Sequence, residues 1–116
     1  MTVSVPLQLQ APIRPPEAPL STKEEMVAYA TKTAQEAKIN PTEVLGTIEC
    51  ESGWNSLAEG DGNTSFGLAQ LNHPESDWGL TREEAKNPRV AIDTLVDAFS
   101  RGEQRRWTCW RDKYGK

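Results

Sequence analysis

The sequence predicts a mainly α-helical domain with a small β element set among its helices, an α+β class in which the helices dominate. Helix-start signals recur just before apolar residues at helical spacing, and a stretch dense in Gly, Asn, Asp and Ser interrupts them. The 116 residues suffice for one modest core but not for two.

Residues 1–20 hold Pro6, Pro12, Pro15, Pro16 and Pro19, a density that removes backbone donors and disfavours helix. They are read as an extended arm or linker, either disordered or strapped across the domain through Leu7, Leu9 and Ile13. Residues 21–116 form the domain proper. A first helix begins near Thr22, where Thr22-Lys23-Glu24-Glu25 has the capping-box pattern, and Met26, Val27, Ala30, Ala34 and Ala37 face the core. A second starts with Asn40 as N-cap and Pro41 in the first turn, then runs to about Ser52 with Val44, Leu45 and Ile48 buried. Gly53 ends it. From Trp54 to Ser65 the Gly, Asn, Asp and Ser residues, Asp61-Gly62 included, predict a loop or weak β-hairpin. A short helix follows Phe66 and stops at His73-Pro74. Thr81-Arg82-Glu83-Glu84 is a further capping box. Asn87-Pro88 opens a long helix with Val90, Ala91, Leu95, Ala98 and Phe99 on its apolar stripe and Gly102 at its end.

The net charge of −4 argues against a nucleic-acid partner. It is unevenly spread, because Arg101, Arg105, Arg106, Arg111, Lys113 and Lys116 outnumber Glu103 and Asp112 in a basic tail. That tail either neutralises its own acidic domain or meets an anionic polymer. No apolar run approaches the roughly 20 residues that span a bilayer, so no membrane insertion is expected. The N-terminus lacks the basic start and apolar stretch of a signal peptide, which leaves the cytosol, a removed leader or exit by lysis. Cys50 and Cys109 are too few for a CxxC-type metal site, and His73, the sole histidine, has no partner cluster. Two readings of the cysteines stand. They are separate buried thiols, or in an oxidising compartment they form a bridge that contributes about 2–4 kcal/mol.

The chemistry concentrates in Glu49–Asn72. Glu49 and Glu51 lie on opposite margins of the apolar face of the second helix, and the helical wheel does not choose between them. Proximity to the Gly53 break does favour Glu51. Unpaired carbonyls and the negative end of the helix there, with partial burial, raise a carboxyl pKa towards that of a general acid.

The segments ESGWN and SFGLAQLN, in this order and with this gap, resemble the two signature segments of lysozyme-like lytic transglycosylases and goose-type lysozymes. In those families a Glu-Ser pair ends a helix, and a Gly-Leu-Met-Gln-like run follows across a small β-rich loop. Glu51-Ser52 matches the first and Gly67-Leu68-Ala69-Gln70 the second, with Ala69 in place of Met. The resemblance implies a lysozyme-like helical domain with its hairpin or loop beside a cleft, acting without a cofactor or metal, as a monomer, on the peptidoglycan glycan strand outside the cytoplasm. It assigns Glu51 as the acid that protonates the bond between N-acetylmuramic acid and N-acetylglucosamine. The same group, as carboxylate, then draws the proton from the muramoyl C6 hydroxyl to give a 1,6-anhydro end.

Goose-type lysozymes carry acids before and just after the second segment. Asp61 matches the first, but Asn72 stands at the second, which favours transglycosylation over hydrolysis. A goose-type-like lysozyme and an inactive glycan-binding or structural module are the alternatives. Gln70 is implied to line the sugar cleft, with Ser65 and Phe66 beside it, and Gly67 allows close approach to substrate or to the Glu51 helix. Trp54 and Trp78 fall in loops that can flank a cleft, where indole faces stack on sugars. Trp107 and Trp110 bracket Cys109 and are read as packing. The Ala-Tyr-Asn-Ala-Gly-like segment of many such transglycosylases is missing. Tyr114 is the candidate substitute, and Cys50 and Cys109 could fasten the C-terminal segment to the Glu51 helix.

Overall fold

The computed structural model describes residues 19–115. Apart from Pro19 and Leu20, the proline-rich arm expected over 1–20 lies outside the described residues. The domain is mainly helical with a small antiparallel sheet, as the sequence predicts.

Helix α1 (Lys23–Glu36) and helix α2 (Pro41–Ser52) begin at the expected caps. Thr22 Oγ1 accepts from the Glu25 N–H at 3.1 Å while Glu25 Oε1 accepts from the Thr22 N–H at 3.0 Å, so two orphan donors are satisfied reciprocally. Asn40 Oδ1 accepts from the Thr42 N–H at 2.9 Å. Helix α3 (Arg82–Lys86) repeats the box through Thr81 and Glu84, and α4 (Pro88–Ser100) starts on Asn87. The chain closes with a 3₁₀ turn (Gln104–Arg106) and α5 (Thr108–Tyr114). Helix α1 packs on both α2 and α4. Its fully buried Ala30 and Ala34 let those helices approach closely around Val44, Ile48, Ile92, Leu95 and Phe99. Ala37 and Leu45 are only partly buried, whereas Thr47, Ile92 and Val96 join the interior.

The expected hairpin exists and gains a third strand. Strands β1 (Glu59–Gly60), β2 (Ser65–Phe66) and β3 (Leu71–Asn72) pair in sequence order, with Gly60 opposite Ser65 and Ser65 opposite Asn72. The short helix expected after Phe66 is therefore absent. Gly67 at φ +84° and Gln70 at φ +49° adopt left-handed backbone, which turns the chain back as β3 instead of continuing a helix. His73-Pro74 begins a helical segment where it was expected to end one. Pro74, which has no N–H to pair, opens the π-helical turn Pro74–Trp78.

Gly67 also corrects an expectation about its neighbour. A Cβ there would lie 2.0 Å from the Ala85 carbonyl oxygen, so the close approach is to α3, not to the Glu51 helix. Gly67→Ala combines this clash with a left-handed backbone and is expected to cost at least about 2 kcal/mol, measured by urea unfolding.

Candidate active site

A cleft of about 440 Å³ opens between the end of α2, the sheet and the C-terminal segment. Glu51 forms part of its wall; Glu49 does not. Glu49 points outward and pairs with Lys23 at 3.8 Å, so of the two carboxylates Glu51 is the one in the cleft wall. Ser52 finishes the helix, its hydroxyl donating to the Ile48 carbonyl and accepting from the Trp54 N–H, both at 3.2 Å. Gly53 at φ +60° then turns the chain away and leaves Glu51 beside the opening.

Burial raises the Glu51 carboxyl above its ordinary pKa. The Cys109 N–H, which donates to Glu51 Oε2 at 3.4 Å, opposes this, the negative charge of Asp61 adds to it, and Arg111 opposes it. The stability consequence has a definite sign. Between the ordinary and the raised pKa the folded state holds more protons than the unfolded state, so stability falls as pH rises through this window. Glu51→Gln cannot ionise. It is expected to melt above the wild type at neutral pH, with the advantage vanishing below the ordinary carboxylate range, as thermal melts across pH would record.

Across the cleft Asp61 is held in place. Its Oδ2 accepts from the Ser65 hydroxyl at 2.6 Å and from the Asn72 amide at 3.4 Å, while that amide also donates to Ser65 Oγ at 2.9 Å. Ser65 is fully buried. The β2–β3 register brings it opposite Asn72, and the left-handed turn at Asp61, Gly62 and Asn63 folds the carboxylate back over it.

Gln70 lines the cleft, but its amide nitrogen donates to the carbonyls of Ala58 at 3.2 Å and Gly67 at 2.9 Å. It braces the loop beneath the cleft and packs closely on Gly60, where a Cβ would sit 2.5 Å from Gln70 Oε1 and oblige that side chain to shift.

Two expected contact residues lie elsewhere. Trp54 is buried in the core and outside the cleft lining. Phe66 is buried too, its ring facing Arg82 and Lys86 at 5.2 and 5.6 Å, because strand alternation turns it away from the side occupied by Ser65. Trp78 does line the cleft, as its loop position suggests, and Trp107, read as packing, joins it with ring centroids 5.6 Å apart; Trp78 is half-buried and Trp107 almost fully buried. Trp107 is anchored by its indole N–H, which donates to the Ala69 carbonyl at 2.8 Å, and by an edge contact with Phe99. Tyr114 is no cleft residue. Its hydroxyl donates to the Thr42 carbonyl at 3.2 Å and rests on Gly46, near the start of α2.

Sequence reasoning missed Arg106, Trp107, Thr108 and Asp77 as lining residues. The available signal was Cys109 itself, since a bridge to Cys50 obliges residues 106–108 to lie near Glu51. That bridge is present, spanning 59 residues with Cα atoms 5.9 Å apart. Among the described residues no group of three or more His, Cys, Asp or Glu side chains converges to hold a metal ion, and no helix is long and apolar enough to cross a membrane. No protein-family model, curated protein or solved structure matches the chain.

Proposed function

We propose that this protein cleaves the glycan strand of peptidoglycan between N-acetylmuramic acid and N-acetylglucosamine as a lytic transglycosylase. The observation that carries this reading is Glu51, a partly buried carboxyl with a raised pKa in a polar, Trp-walled cleft. The segments that resemble those of lytic transglycosylases converge there: Glu51 on one side, Ser65, Gln70 and Asn72 on the other.

On this reading the protonated Glu51 gives its proton to the glycosidic oxygen as the bond from C1 breaks. The muramoyl C6 hydroxyl attacks C1, and the Glu51 carboxylate takes the hydroxyl proton, which restores the acid and leaves a 1,6-anhydro end. The half-buried Trp78, partly covered by Arg106, supplies the apolar surface for a sugar ring, and the buried Trp107 packs against it. The disulfide suits an oxidising site of action outside the cytoplasm.

A second reading, hydrolysis, rests on Asp61. Asn72 does not supply the second acid that goose-type lysozymes carry, yet together with Ser65 it orients the Asp61 carboxylate, the arrangement needed to hold an attacking water. Mass analysis of released muropeptides separates the two. Anhydro ends that persist in Asp61→Asn support transglycosylation. Reducing ends from the wild type, lost in Asp61→Asn, would replace it with hydrolysis.

A further inference from the structure

The cleft does not stop at Trp78. A second cavity of about 400 Å³ shares Asp77, Trp78 and Arg106 with it and continues along α4 past Asp93, Thr94 and Asp97. The two spaces meet at the Arg106 guanidinium, which lies 3.8 Å over the Trp78 ring and donates through Nη1 to Glu103 Oε1 at 2.9 Å. The ring on one side and the Glu103 contact on another hold a group that has five N–H donors. Donors not used by Glu103 remain at the seam. Arg101, by contrast, is engaged by both Asp97 and Glu103.

A guanidinium held over an aromatic ring recognises carboxylates by paired hydrogen bonds, which neutral sugar hydroxyls do not match. Within the substrate proposed above, the charges sit on the peptide stem borne by the muramic acid, which carries carboxylates and, on its diamino residue, an ammonium. The cavity beyond Arg106 is net acidic, lined by Asp77, Asp93 and Asp97, with Arg101 already paired to Asp97 and Glu103. It therefore suits the stem's ammonium and leaves Arg106 as the site for a carboxylate. We infer that Arg106 is a specificity residue that binds a stem carboxylate, and that the second cavity houses the stem. This inference rests on the glycan-cleaving reading. It makes the preferred substrate a peptide-bearing strand.

The test compares kcat/KM on purified glycan strands that carry their stems with strands stripped by an amidase. The wild type is expected to favour peptide-bearing strands by about tenfold or more, the scale of a hydrogen bond to a charged group. Arg106→Ala, with its fold checked by thermal melting, is expected to bring the ratio towards one, and Arg106→Lys to restore it only in part. A wild-type ratio near one, or an unchanged ratio in Arg106→Ala, would overturn the inference. If the wild type cleaves neither strand, the glycan-cleaving reading fails by itself, and NMR titration with the free stem peptide decides the cavity. Shifts at the Trp78 indole and Thr94 that vanish in Arg106→Ala uphold it, and their absence removes it.

Discussion

Glu51→Gln is expected to lower cleavage of purified peptidoglycan by about 10²–10⁴-fold, the usual contribution of a positioned general acid. The substitution changes little else. Glutamine keeps the shape of the side chain, and its carbonyl oxygen can still accept from the Cys109 N–H, but it has no proton to give the leaving oxygen. Relief of the buried charge is expected to leave the variant at least as stable as the wild type, and its thermal melt separates lost activity from unfolding. Glu49→Gln is the matched control, because Glu49 lies outside the cleft on a solvent-exposed pair with Lys23. Activity retained by Glu51→Gln and lost by Glu49→Gln would reverse the assignment.

Replacing both Cys50 and Cys109 by Ser is expected to cost about 4 kcal/mol, because the bridge closes a loop of 59 residues and restricts the unfolded chain accordingly. In a domain of about this size such a loss lowers Tm by roughly 15–30 °C. The native arrangement is still expected to form at low temperature. Trp107 keeps its bond to the Ala69 carbonyl, and the Trp110 indole donates to Glu43 Oε1 at 2.8 Å, so α5 has other attachments to the body. On the proposed reading, cleavage falls even where the double variant remains folded, since Thr108, Trp107 and the Cys109 N–H line or touch the Glu51 side of the cleft. Differential scanning calorimetry and lysis assays with and without reductant measure both effects. An unchanged Tm would show that the bridge adds nothing to the C-terminal attachments.

Helix starts were legible because each has its chemistry written locally: a Thr box at Thr22 and Thr81, an Asn-Pro start at Asn40 and Asn87. The position of Glu51 beside a Gly break was legible for the same reason. The segment after Phe66 was not. Leu68 and Ala69 read alike in a buried turn and in a short helix, and what decides between them is left-handed backbone at Gln70 and His73, residues that do not advertise it as Gly does. Roles set by distant neighbours were also hidden. Gly67 answers to Ala85, Gln70 to Ala58, and Tyr114 to Thr42, pairings that no local pattern encodes. The far wall of the cleft follows from the cysteine pairing, which spacing left open. Asn72 is the mixed case: an amide in place of an acid is plain in the sequence, but its hold on Ser65 and Asp61 depends on the strand register.

The most direct measurement digests purified peptidoglycan with wild type and Glu51→Gln side by side and identifies the new chain ends by mass spectrometry. The wild type should release fragments ending in 1,6-anhydro-N-acetylmuramic acid, and the variant should release almost none. New ends only at peptide bonds, new ends at N-acetylglucosamine, or equal release by both proteins would contradict the account.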